Sequence, residues 1–136
     1  MAGGIGSRFW PMSSPEMPKQ FIDVLGCGRT LIQLTVDRFK DVCLPENFWV
    51  VTSAKYAEIV KEQLPEVPVD HILLEPCRRN TAPCIAYVSW KIKVRNPKAN
   101  IVVTPSDHVV MNVREFGRVV TSAMKFTADS GGFVTL

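Results

Sequence analysis

The chain has 136 residues, 46% of them hydrophobic and 21% charged, with a formal net charge of +3. That balance sustains a core and fits one ordinary domain, which excludes a disordered chain. The densest basic stretch is only Lys91, Lys93, Arg95 and Lys98, which reads as a solvated helix end and not as a nucleic-acid footprint. No apolar run reaches the roughly 20 residues of a membrane span, and the N-terminus lacks the pattern of a signal peptide. The expectation is a cytoplasmic protein without nucleic-acid or membrane partners.

In chain order, a glycine segment from Ala2 to Arg8 comes first, then the proline-rich stretch Pro11 to Pro18, then Lys19. Thr30 suits the N-cap of a helix that buries Leu31, Leu34 and Phe39. The run Phe48 to Thr52 predicts a strand, after which Ser53 caps a helix carrying Tyr56, Ile59, Val60 and Leu64. A second strand is predicted from His71 to Leu74. A helix starting near Asn80 or Thr81, with Pro83 in its first turn, buries Ile85, Val88, Ser89 and Ile92 until Asn96-Pro97 ends it. Ile101 to Thr104 predicts a third strand. A fourth helix, from about Arg114 to Ala128, turns Phe116, Val119, Val120 and Ala123 inward and stops at Gly131-Gly132. Phe133 to Leu136 reads as a last strand, Trp49 and Trp90 as core residues. Cys27, Cys43, Cys77 and Cys84 lack the close pairs of a zinc site, so they read as free, mostly packing thiols.

Strands alternating with helices of this length predict an α/β fold with βαβ units, a mostly parallel sheet and helices on both faces. Ligands of such sheets bind beyond the carboxyl ends of the strands, which directs attention to Glu75–Pro83 and Pro105–His108. In the opening segment, Gly3, Gly4 and Gly6 let backbone N–H groups approach a ligand closely, a nest suited to phosphate oxygens. Arg8 and Lys19 supply the cations a polyphosphate also needs. The segment is neither the phosphate loop of ATPases nor a dinucleotide fingerprint, because Phe9 stands where a third glycine would be required. A glycine turn with surface cations is the competing reading. Asp107 follows a predicted strand as a hard oxygen donor, with a turn-capping role as its alternative. Ser106-Asp107-His108 is too contiguous to form a catalytic triad, and His108 reads as local structure. Glu75 can accept two N–H groups from the Watson–Crick edge of guanine, or stand as a surface partner of Arg78 or Arg79.

Ala2-Gly3-Gly4-Ile5-Gly6-Ser7-Arg8-Phe9-Trp10-Pro11, followed by Pro18-Lys19-Gln20-Phe21, closely resembles the signature of the sugar-1-phosphate nucleotidyltransferases. Its variants, with Glu75 to Pro83 and Val103 to His108 in the same order, resemble the mannose-1-phosphate guanylyltransferase branch. The resemblance implies a Rossmann-like fold of the nucleotide-diphospho-sugar transferase type, GTP and mannose 1-phosphate as substrates, and Mg²⁺ as cofactor. It also implies roles: Ala2, Gly3, Gly4 and Gly6 around the nucleotide, Arg8 on the leaving pyrophosphate and Lys19 near the reacting phosphorus. Asp107 would hold the metal, and Glu75 with Asn80 and Thr81 would select the base. A related enzyme for another sugar or base, and a non-catalytic regulatory paralogue, are the alternatives within the family. Both ends read as cut, so residues 1–136 are expected to form a partial nucleotide-binding domain, truncated at both ends and inactive alone. Pairing of two copies through exposed strand edges, a homodimer, is one way such an incomplete sheet is completed.

Overall fold

The computed structural model of the chain describes Ala2, residues 9–77 and residues 80–136. Helix α1 (Leu31–Asp37) starts where its cap predicts. Thr30 is extended at φ −75°, ψ 161°, and its N–H donates to Gln33 Oε1 at 3.0 Å, the return arm of a capping box. Its hydroxyl donates to Gln63 Oε1 at 2.8 Å, so the same residue ties α1 to the end of helix α2 (Ala57–Gln63).

Strands β1 (Val50–Ser53) and β2 (Ile72–Glu75) pair in parallel, in register from Val50↔Ile72 to Ser53↔Glu75, with α2 in the crossover between them. This is the expected βαβ unit. Side chains alternate across a strand, and the alternation sorts the core into two layers. Val50 and Ile72 join Ile32 and Val36 of α1 and Val60 of α2, with Phe21, Tyr56, Leu64 and Val67. Val51 and Leu73 face the other way, onto Cys84, Val88 and Ile92 of helix α3 (Thr81–Arg95). Helices therefore cover both faces of the sheet. Val60 and Leu64 are fully excluded from solvent, and each such side chain contributes roughly 1.5–3 kcal/mol relative to exposure.

Helix α4 (Val113–Ser130) is bounded as its sequence indicates. Asn112 accepts a hydrogen bond from the Glu115 N–H at 3.0 Å, and Gly131 closes the C-terminus at φ 67° with its N–H on the Thr127 carbonyl at 3.0 Å.

Four expectations change. Ser53 precedes a 3-10 turn (Ala54–Tyr56) that leads into α2, but gives no side-chain cap bond, and its hydroxyl is buried without a partner. Residues 101–104 and 133–136 join no ladder among the described residues, where the sheet is two-stranded. A cavity of about 700 Å³ borders the first of these, lined by Ala2, Val50 and Val51 together with Val102 and Val103. Phe133 is fully exposed, with no surface to make a strand of it. Finally, Trp90 is 68% exposed; α3 carries apolar side chains around most of its circumference, and Val88 and Cys84 take the inward positions. Trp49 is half-buried and stacks on His71 at 3.9 Å between ring centroids.

The four cysteines are free, with Cys84 buried and Cys27 and Cys77 exposed. Among the described residues no helix is long and apolar enough to cross a membrane.

One ion pair gives the fold a pH dependence. Arg29 donates from Nε and Nη2 to the two carboxylate oxygens of Asp37, both at 2.9 Å, and Lys40 adds a second cation. Burial pushes the Asp37 carboxyl up, but Arg29 and Lys40 outweigh it, so its pKa lies below the ordinary value. A depressed folded pKa means that the contribution is complete above the unfolded value of about 3.9 and is lost as pH falls through the folded value. Asp37→Asn is expected to cost about 1 kcal/mol or less at pH 7, given the pair's partial exposure, with urea midpoints of variant and wild type converging as acid protonates the folded Asp37 carboxylate. A gap of constant size throughout an acid titration would contradict this origin.

Candidate functional site

The carboxyl ends of β1 and β2 gather most of the described residues singled out by sequence. Pro18-Lys19-Gln20-Phe21 folds as a 3-10 turn over Lys19–Phe21. Its two apolar-facing members fix it: Phe21 is buried against the Tyr56 ring at 5.6 Å, and its carbonyl accepts from Gln63 Nε2 at 3.0 Å. Gln20, also buried, donates from Nε2 to the Ala2 carbonyl at 3.0 Å. With its neighbours held in this way, Lys19 projects its ammonium to Asp107 Oδ2 at 2.7 Å. The two side chains are equally part-buried, each 30% exposed. Two charged residues from separate motifs, distant in sequence, therefore meet.

Burial pushes the Asp107 carboxyl up, and the hydrogen bond and charge of Lys19 more than offset this, so the group lies below the usual carboxylate range. His108 Nε2 stands 3.8 Å from Asp107 Oδ1 and is largely exposed.

Ala2 links this pair to the sheet. Its N–H donates to the Val51 carbonyl at 2.8 Å, and its own carbonyl accepts from Gln20 Nε2 and from Thr52 Oγ1 at 3.1 Å. Both backbone groups are thus engaged by the protein, and Ala2 fastens the start of the glycine segment to the edge of β1. Gly3, Gly4, Gly6 and Arg8 lie outside the described residues, as do Arg78 and Arg79.

Beyond Thr52, Ser53 pairs in register with Glu75, the last residue of β2. Glu75 is half-buried and near enough to Cys84, on the first turn of α3, that the thiol's pKa is raised first by burial and then by the Glu75 charge. Asn80 and Thr81 stand exposed at the start of this helix. Asn80 adopts φ 67°, ψ −167°, a backbone region that glycine ordinarily occupies, and it caps the helix without a side-chain bond. Glu75 therefore lies near the first turn of the helix that Asn80 and Thr81 open.

One residue escaped the sequence reading. Arg38, at the C-cap of α1, is 5% exposed and sends its guanidinium to the Asp107 segment, onto the His108 carbonyl, Thr104 Oγ1 and the Pro105 carbonyl. Neither its neighbours nor any motif mark it in the sequence.

As for metal binding, no group of three or more His, Cys, Asp or Glu residues capable of caging an ion occurs among the described residues. Mg²⁺ is ordinarily held by one or two carboxylates, with phosphate oxygens and water completing its shell. The Asp107 carboxylate, part-exposed beside the Lys19 ammonium, is a donor of that kind.

Comparison with known proteins agrees with the motifs. The profile of the Nucleotidyl transferase family matches residues 1–136. The chain is 37% identical over 139 residues to "Mannose-1-phosphate guanylyltransferase 2" of Escherichia coli O157:H7, and 38% over 140 residues to "Mannose-1-phosphate guanylyltransferase" of Escherichia coli strain K12. It is 35% identical over 136 residues to "Alginate biosynthesis protein AlgA" of Pseudomonas syringae pv. tomato. These alignments cover 98–99% of the chain, which spans 28% of the length of each relative. With the profile matched from end to end over a parallel βαβ unit, the chain belongs to the nucleotidyl transferase family.

Proposed function

We propose that this chain supplies the nucleotide side of an enzyme that transfers GMP from GTP to mannose 1-phosphate. A phosphate oxygen of the sugar phosphate attacks the α-phosphorus of GTP, the bond from that phosphorus to the bridging oxygen breaks, and pyrophosphate leaves. The products are GDP-mannose and pyrophosphate. The observation that carries this reading is the Lys19–Asp107 pair at 2.7 Å, beside the strand ends and the start of the glycine segment. The names of the Escherichia coli relatives support the choice of substrates.

No covalent intermediate with the protein is needed, so the work falls to positioning and charge neutralisation. The backbone of Gly3, Gly4 and Gly6 binds the triphosphate, Arg8 stabilises the departing pyrophosphate, and Lys19 neutralises charge around the α-phosphorus. Asp107 would hold Mg²⁺, which when bound draws charge from the phosphate oxygens. Glu75, with Asn80 and Thr81, reads the guanine edge: a carboxylate accepts from both N1–H and N2–H, which an amide in its place does only in part.

The test is incorporation of labelled pyrophosphate into nucleoside triphosphate from GDP-mannose and UDP-glucose, by the protein carrying this chain. Wild type is expected to exchange with GDP-mannose. Glu75→Gln is expected to lose about tenfold or more of its preference for the guanine nucleotide, since one charge-assisted bond is worth roughly 1.5–3 kcal/mol. An unchanged preference would sink the role of Glu75. Absence of exchange in the folded wild type would sink the reaction and favour the regulatory reading.

A further inference from the structure

We propose that Arg38 is a positioning residue for the metal-binding carboxylate: it holds the 104–108 segment at the orientation in which Asp107 meets Lys19 and the metal. The inference rests on the reading of Asp107 as the metal ligand.

The first observation is where Arg38 directs its donors. Nη1 donates to the His108 carbonyl at 2.9 Å, while Nη2 donates to Thr104 Oγ1 at 2.7 Å and the Pro105 carbonyl at 3.2 Å. Three acceptors on both sides of Asp107 are gathered by one rigid, planar group, a geometry that a flexible ammonium cannot reproduce. The acceptors lie 66 to 70 residues along the chain from Arg38, so the contact joins α1 to a distant segment.

The second observation is cost. Arg38 is 5% exposed, and none of the ion pairs among the described residues includes it. Its Nε is buried with no partner. A buried cation without a carboxylate is expensive, and packing alone would favour an apolar side chain at this place. The Phe39 and Phe116 rings, 5.7 and 5.3 Å from the guanidinium carbon, recover part of the loss and fix the plane of the group. A charge kept in the core at such cost, and spent wholly on one segment, is explained by what that segment carries.

The third observation is what else could hold the segment. Residues 101–104 join no ladder of the two-stranded sheet, and the cavity lies along them. The usual means of fixing the end of a strand is therefore not what orients Asp107 among the described residues. Arg38 supplies an anchor through three hydrogen bonds.

The experiment compares wild type, Arg38→Met, Arg38→Lys, Asp107→Asn and the core truncation Val60→Ala, each checked for folding by circular dichroism. Mn²⁺ affinity in the presence of GTP is read by electron paramagnetic resonance, and amide exchange is read at residues 104–108 and 50–53. Arg38→Met is expected to weaken Mn²⁺ binding about 10–100-fold, the usual effect of losing a partner that orients a ligand. It is also expected to speed exchange at 104–108 while leaving 50–53 protected. Arg38→Lys should recover part of both. Val60→Ala should lower stability and leave Mn²⁺ affinity within about twofold, which separates positioning from general destabilisation. If folded Arg38→Met binds Mn²⁺ like wild type, the proposal is overturned. If Arg38→Met does not fold, Arg38→Lys decides: wild-type affinity and exchange would overturn the proposal, and losses in both would support it. If Asp107→Asn leaves Mn²⁺ affinity unchanged, the metal reading of Asp107 fails and the proposal falls with it, a result distinct from the failure of Arg38 alone.

Discussion

Lys19→Met is expected to lower GMP transfer by about 10²–10³-fold in the protein carrying this chain, the range for removing one preorganised group that stabilises transition-state charge. Methionine keeps much of the length of lysine and removes only the ammonium, so the loss reports charge. The fold should barely register the change. The turn bearing Lys19 is held by buried Gln20 and Phe21, not by Lys19, and its pair with Asp107 is part-exposed, a class of contact worth roughly 0–1 kcal/mol. Lys19→Arg is expected to rescue little, because a planar fork on a longer stem cannot place one point charge at the same spot. Single-turnover transfer measured beside a urea melt separates the two effects. Turnover within about threefold of wild type would remove Lys19 from the chemistry.

The largest expected effect on stability comes from Leu64→Ala. Leu64 is completely buried, packs in the cluster that contains Phe21, Ile32, Tyr56 and Val60, and also lines the cavity. Truncation of a buried leucine costs about 2–5 kcal/mol, rising with the void that remains. Because this side chain already borders an opening that its neighbours have not closed, the upper part of that range is expected. Such a loss is a large fraction of the roughly 5–15 kcal/mol that holds a typical domain together. Leu64→Met, which nearly conserves volume, is expected to cost less than about 1.5 kcal/mol. Equilibrium urea unfolding checks both; a cost below about 1 kcal/mol for the alanine variant would mean that the site collapses freely.

What the sequence revealed followed the range of the interactions involved. Thr30 and Gly131 act a few residues away along the chain, so the beginning of α1 and the end of α4 were legible, whereas the Asn112 cap of α4 was not singled out. β1 and β2 were legible as short apolar runs that bury one face on each helix layer. Residues 101–104 have the same composition but no ladder, because a strand is defined by its neighbour and the neighbour is not written in the run itself. Trp90 was misplaced for a related reason: with Tyr87, Trp90 and Val94 outward and Val88 and Ile92 inward, α3 has no clear apolar phase to read. In the site, Lys19, Asp107 and Glu75 stand in recognisable strings. Arg38 does not, since two of its three acceptors are backbone carbonyls, which every residue possesses.

The stack of Trp49 on His71 lies immediately before β1 and β2, at the end of the sheet opposite the proposed chemistry. Arg95, from the last turn of α3, caps it, 4.9 Å from the Trp49 ring and paired with Asp70 at 2.6 Å. Its place makes it a vernier. A one-residue slip between parallel strands exchanges their two faces, which here would turn Ile72 toward α3 and carry Glu75 to the wrong side. The ring stack and the Arg95 contacts are interactions that such a slip would break at its origin. Contacts made at one end of the sheet thus bear on the register that brings Ser53 beside Glu75 at the other.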